Sequence, residues 1–255
     1  MVSSIPKTKD APVIYPSSDG EPVAESFVHL YALLVTLEVL KQYLEGQQAT
    51  VLANQFLYYS QGFPKLRVAP DVMVIQGVEP GGRDSYKIWE EGEVPSVIFE
   101  MTSRSTRTRD ETFKKMLYAQ IGVQEYWLFD PRGEWLEPRL QGYRLVRDEY
   151  RQEYWDDYQP ITDNHSDVLK LRLEADGELI SFYRDDSGEK LLIPSELSDA
   201  LEREAEARKQ EAEARKQEAE ARKQAEEQLE AERQAAEKLR AKLRELGVDP
   251  DDVVR

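Results

Sequence analysis

No cysteine occurs in the chain, which excludes disulfide staples, thiolate zinc sites and cysteine nucleophiles and fits a reducing cytoplasm. No run approaches the roughly 18 uninterrupted apolar residues that a membrane span needs. The opening MVSSIPKTKDAPVIYP also lacks the apolar centre of a signal peptide. A soluble, unprocessed, cytoplasmic protein without membrane association is expected. Neither GxGxxG nor a P-loop is present, so a binding module for a nucleotide or small phosphate ligand ranks last among the function classes. Aromatic residues are missing from the last quarter, so the 40 % hydrophobic average understates the richness of the rest.

Acid is abundant. The net charge is −16; from Glu196 onward 18 acids and 13 bases give −5, leaving −11 on residues 1–195. Such a surface repels phosphate backbones in bulk, so any contact with nucleic acid has to be local and helped by a cation.

At 255 residues the chain has room for one full domain with an appendage, or two small domains. Residues 1–20, rich in proline and small polar residues, read as a loose arm. Between Val23 and Leu44, apolar residues at Phe27, Leu30, Tyr31, Leu34, Leu37, Val39, Leu40 and Leu44 keep helical spacing, and Gly46 follows as a stop. Residues 49–60 and Val72–Ile75 read as strands. Val97, Ile98 and Phe99 form a run apolar on both faces that ends in Glu100, as in a central strand. A helix is expected over Thr106–Ile121, closed by Gly122, and a strand over EYWLFDP (residues 125–131). The later segments YRLV, VLKLRLEADG and ELISFYRDD suggest an antiparallel extension of the sheet. The globular domain is placed at 21–193.

A charged helix is expected over 196–247, with a tail at 248–255. EAEARKQ occurs three times from Glu204 to Gln224, setting Glu204, Glu211 and Glu218 four residues before Arg208, Arg215 and Arg222. That orientation stabilises a solvated helix by about 0.2–0.5 kcal/mol per pair. The repeat alanines make no a/d seam, so a self-supporting single helix is expected there. Leu229, Ala236, Leu239, Leu243 and Leu246 do alternate as a and d, with Gly247 as the cap. A short coiled coil, and with it a possible homodimer, weighs there against an unpaired helix.

Three features point to chemistry: Pro70-Asp71 opening one strand, Glu100 closing the next, and Lys114 in the helix that follows. Each alone has an ordinary reading, as a strand-opening carboxylate, a solvated rim residue and a surface lysine. Together, two carboxylates from neighbouring strand ends can hold Mg²⁺ through hard oxygen ligands, or Mn²⁺ in its place, leaving positions for water and a phosphate. An ammonium beside them can orient the nucleophile or offset charge developing on the phosphate. Arg104, Arg107 and Arg109, with Ser103, Ser105 and Thr106, form the one locally basic stretch and suit a substrate phosphate at a helix start. A capped helix with solvated arginines explains the same residues. Tyr126, Trp127 and Phe129 lack interleaved basic residues, which argues for sheet core over a base-stacking platform.

The segments PDVMVI, YKIWEEGEVPSVIFEMTSRSTRTRD, KKMLYAQIGVQEYWLFDP and EPRLQGYRL resemble the Uma-type restriction endonuclease family of the PD-(D/E)XK nuclease superfamily, over about residues 20–190. The resemblance implies an α/β fold, a restriction-endonuclease-like mixed sheet flanked by helices, followed here by the long C-terminal α-helix. It implies Asp71 and Glu100 as metal-binding carboxylates and Glu25, one turn from His29, as a further acidic residue of the catalytic set. In the simplest superfamily pattern a lysine follows the second acid by two residues, where this chain has Thr102. The resemblance to KxxxYA moves the role to Lys114, four residues before Tyr118, with Lys115 as runner-up about 100° away around the helix. The expected function is Mg²⁺-dependent hydrolysis of phosphodiester bonds in DNA. The alternative is a catalytically weak scaffold that acts in protein association through its helix.

Overall fold

Backbone pairing follows the apolar runs. The computed structural model describes residues 13–18, 20, 26–146 and 157–245, with side chains in the last helix described to residue 242. The chain divides into two units, Met1–Pro194 and Ser195–Arg255. Glu25, the first part of the proposed arm, Leu246 and Gly247 lie outside the described residues.

The first unit opens with helix α1 (Phe27–Tyr43), whose N-cap Ser26 accepts from the His29 amide. Its strands are β1 (Ala49–Leu52), β2 (Phe56–Tyr58), β3 (Arg67–Val68), β4 (Val72–Gln76), β5 (Ser85–Lys87), β6 (Val97–Met101), β7 (Glu125–Phe129), β8 (Leu140–Val146), β9 (Asp157–Ile161), β10 (His165–Ser166), β11 (Leu171–Asp176) and β12 (Leu179–Arg184). A six-stranded sheet runs β1-β4-β6-β7-β8-β9, and two three-stranded sheets run β3-β2-β5 and β10-β11-β12. The six-stranded sheet is mixed, because β6 and β7 pair in parallel and its other neighbours are antiparallel. The fold is therefore α/β, a mixed sheet with helices, plus a long C-terminal helix.

The parallel pair needs a crossover, and residues 102–124 supply it with a helix. Strands β6 and β7 are buried along their whole length, and their side chains divide by the period of two between two cores. Val97, Phe99, Met101, Trp127 and Phe129 join α1, Leu171, Leu173, Ile180 and Phe182. Ile98, Tyr126 and Leu128 join Leu117, Tyr118 and Met73 on the other face.

Two expectations change in detail. The stretch 49–60 is two strands, β1 and β2, separated by Asn54 in the left-handed region. Only Leu140–Val146 and Asp157–Ile161 extend the main sheet; the hairpin β11–β12 belongs to a separate sheet. Its apolar face packs in the core beside α1, while Pro160 gives the edge strand β9 one donor fewer for further pairing.

The second unit is helical. Helix α5 (Pro194–Glu245) has 52 residues, a length of about 78 Å. The i,i+4 pairs Glu204–Arg208 and Glu211–Arg215 form, but Arg222 turns forward to Glu226 instead of back to Glu218. Leu229 and Leu239 are exposed.

Gly142 on β8 faces Trp127, and a Cβ built there would stand 2.5 Å from the indole Cζ3. Gly142→Ala forces the buried ring to shift, and the expected loss is about 1–3 kcal/mol, read as a lower denaturant midpoint. An unchanged midpoint would show that the Trp127 layer yields without strain.

Candidate active site

Strand register brings the two predicted carboxylates together. Val72 pairs with Phe99 and Met73 with Ile98, so continuing by one residue sets Asp71 across from Glu100. The Met101 amide donates to Asp71 Oδ2 at 2.6 Å, fixing that carboxylate at the strand's opening. His29 Nε2, from the first turn of α1, lies 3.6 Å from the same oxygen. Glu100 is 1 % exposed and shares the face of Ile98, opposite the crossover helix.

That helix has three parts: α3 (Arg107–Arg109), a π-helical turn Asp110–Lys114, and α4 (Lys115–Ile121). The π turn widens the helix where it meets the sheet, and such turns recur at functional sites. The Tyr126 hydroxyl donates to the Asp110 carbonyl at 3.1 Å. Lys114 Nζ reaches Glu100 Oε2 at 2.7 Å and Asp110 Oδ1 at 3.1 Å, and the Tyr118 hydroxyl donates to Glu100 Oε1 at 2.7 Å. Lys115 goes elsewhere: its Nζ lies 3.5 Å from the Tyr143 ring centroid.

Electrostatics is strained by burial. Asp71, Glu100 and Asp110 gather around one ammonium. Burial pushes Glu100 up to about 8 against the pull of Lys114, and Asp71 and Asp110 add to the rise. Burial also raises Asp110. For Lys114 burial favours the neutral form, but the attraction of Glu100, Asp110 and Asp71 outweighs it and holds the ammonium charged beyond its ordinary range. Asp110 Oδ1 has the Lys114 ammonium at 3.1 Å, whereas Thr102 Oγ1, in a residue 1 % exposed, has no hydrogen-bond partner.

A cleft of about 650 Å³ opens beside this cluster; Asp71 is the cluster's member in its lining, with Thr102, His29 and Arg104. Arg104 is the one arginine of the three expected that reaches it. Arg107 pairs with Glu111 at 3.0 Å, and Arg109 stands over the Phe113 ring. Ser103, Ser105 and Thr106 bond among themselves, with the Ser103 amide donating to Thr106 Oγ1 at 3.0 Å. They shape the turn that leads into the helix. Tyr126, Trp127 and Phe129 are core.

Two members of the cluster escaped the sequence. Asp110 precedes Lys114 by four residues, a helical spacing that signals an ion pair but not its burial. Tyr118 was legible as part of KxxxYA, but its bond to Glu100 was not. Among the described residues no group of three or more His, Asp or Glu side chains forms a ready metal cage. A Mg²⁺ site does not require one, because one or two carboxylates plus waters and substrate phosphate suffice.

The profile of the Uma2 family, described as "Putative restriction endonuclease", matches residues 8–156. Among solved structures, the chain is similar to a "putative nuclease belonging to DUF820" from Anabaena variabilis ATCC 29413. Identity is 15 %, the match covers 60 % of this chain and 79 % of that one, and the TM-score is 0.38. No curated protein matches.

The raised Glu100 pKa has a signature in stability. The unfolded carboxyl loses its proton near pH 4.5 and the folded one near 8, so over that window the folded state binds more protons and loses stability as pH rises. In chelator, the thermal midpoint of the wild type is expected to fall relative to that of Glu100→Gln between pH 5 and 8. Parallel curves for the two proteins would show that Glu100 is ionised throughout.

Proposed function

The chain belongs to the Uma2 family of restriction-endonuclease type, and on that premise we propose that it hydrolyses phosphodiester bonds in DNA with a divalent cation, Mg²⁺ or Mn²⁺, held by Asp71 and Glu100. The observation that carries this reading is the excess of acidic side chains, three of them, Glu100 and Asp110 buried and Asp71 partly so, around one ammonium. A hard cation suits that oxygen set and relieves the excess. When bound it would lower the pKa of a coordinated water and polarise the phosphate.

The protein's own residues do the rest. Lys114 holds Glu100 in place and brings a charge that offsets the negative charge growing on the phosphate. Tyr118 fixes the second Glu100 oxygen, so the carboxylate cannot rotate freely. His29 stands at Asp71, and Arg104 offers the cleft a phosphate partner. A local cationic wall and a metal together meet the objection that the domain as a whole carries −11 and repels DNA.

A second reading, association through α5, has one specific observation behind it: Leu229 and Leu239 stand exposed on a helix whose other described side chains past Arg203 are also exposed. Sedimentation at rising concentration, with and without Leu229→Lys and Leu239→Lys, tests it. A concentration-independent monomer would end it.

For the nuclease reading, purified protein with Mg²⁺ or Mn²⁺ is expected to cleave supercoiled or single-stranded DNA. Asp71→Asn, Glu100→Gln and Lys114→Met are each expected to lose on the order of 100-fold in rate. Calorimetry should show Mn²⁺ binding that Asp71→Asn abolishes. Folded wild type that cleaves neither substrate with either metal would overturn the proposal, as would variants as active as the wild type.

A further inference from the structure

The far wall of the cleft is a loop that the catalytic reading leaves without a task. Pro131, Arg132, Glu134 and Trp135 line it, facing the same space as Asp71 and Arg104. This loop is built. Asp130, fully buried at the end of β7, accepts through Oδ1 from the amides of Arg132 at 3.0 Å and Gly133 at 2.9 Å. Its Oδ2 accepts from the amides of Trp135 and of Leu136, the latter at 3.1 Å. Leu136 is buried in the core beside Tyr118 and Leu128. Trp135 is thereby held between a clamped backbone and an anchored neighbour, and its indole is left half-buried at the cleft.

A large aromatic ring held by such a frame with part of its surface open to a cleft has a face to offer a ligand. We infer that Trp135 stacks an unpaired base of the DNA strand beside the scissile phosphate, while Arg132 and Arg104 hold the backbone phosphates on either side. This rests on the nuclease reading and adds to it the state of the substrate. A volume of about 650 Å³ lies within the range that encloses a small ligand, enough for a nucleotide or two. Thr102 supplies an independent sign of a ligand: it is a lining residue of the cleft, and its buried hydroxyl oxygen has no hydrogen-bond partner within the protein. Stacking on an aromatic face tolerates any base, so the contact gives affinity for an unpaired strand without reading its sequence. Arg132 is exposed on the clamped loop, where it meets a phosphate at small entropic cost.

The test is binding, measured by fluorescence anisotropy of a short labelled single-stranded oligodeoxynucleotide with the full chain in Ca²⁺ and again in chelator. Circular dichroism checks that each variant is folded. Trp135→Ala is expected to bind about ten-fold more weakly and Trp135→Phe nearly as well as the wild type, because a ring suffices for stacking. Arg132→Ala should weaken binding and reduce the slope of log affinity against log salt by roughly 0.7, one phosphate contact on a single strand. The wild type should prefer the single strand to a duplex of the same sequence. Trp135→Ala and Arg132→Ala that bind and cleave like the wild type would overturn this inference and leave the nuclease reading intact. Wild type that neither binds nor cleaves any DNA overturns both. Tighter binding to an oligoribonucleotide of the same sequence, with the Trp135→Ala loss confined to it, would overturn DNA as the occupant.

Discussion

Lys114 is the one cation that makes three neighbouring carboxylates tolerable at a nearly dry position. A buried charge left without its partner costs about 3–5 kcal/mol, and a buried ion pair is itself no better for stability than a well-packed apolar pair. Had this cluster served stability alone, Leu or Met would fill the space at less risk. Its geometry shows the same tension. Glu100 takes a lysine on one oxygen and a tyrosine on the other, yet burial still drives it towards the neutral form. A site so poised is sensitive to any charge brought beside it.

The comparison of buried carboxylates sharpens the point. Glu125 is as buried as Glu100, but it accepts from the amides of Asp167 and Val168, the Ser166 hydroxyl and Arg144. It ties β7 to the segment that closes and follows β10. Asp130 is satisfied by four backbone amides in one loop. Both acids sit in EYWLFDP, and both have enough donors to be structural. Asp110, by contrast, relies on a lysine already committed to Glu100. Supply of donors therefore separates the carboxylates that hold the fold from those gathered at the candidate site.

Much of this was legible in the sequence for identifiable reasons. The continuous apolar run at Val97 marked a central strand, because only a strand covered on both faces can be apolar at every position, and EYWLFDP marked a further strand. The run between them had helical spacing, and strand-helix-strand order gives a parallel pair. Asp71 and Glu100 stood out because each punctuates the end of such a run. The antiparallel register of β4 with β6, on which their opposition depends, lies between strands 20 or more residues apart and has no local sign. The π turn was hidden for a related reason. Thr106–Ile121 reads as an ordinary helix, and the widening at Asp110–Lys114 arises where the helix meets Glu100 and Tyr126 across the sheet. The arginines misled because charge density along the chain says nothing of direction: Arg107 and Arg109 spend themselves on Glu111 and Phe113 of their own helix.

The same distinction between composition and placement applies to the charge of the domain. Charges on a solvated surface are screened beyond about 10 Å at moderate salt, so the −16 of the whole chain sets long-range repulsion but not the field inside a cleft. Within the cleft, Arg104 and Arg132 project from two different elements, one from the turn after β6 and one from the loop that Asp130 clamps. Because both turns follow the ends of the parallel strands β6 and β7, the crossover that orders the core also fixes the separation of the two guanidinium groups across the site. Helix and sheet geometry thus sets two arginines at one edge of a domain whose net charge is acidic.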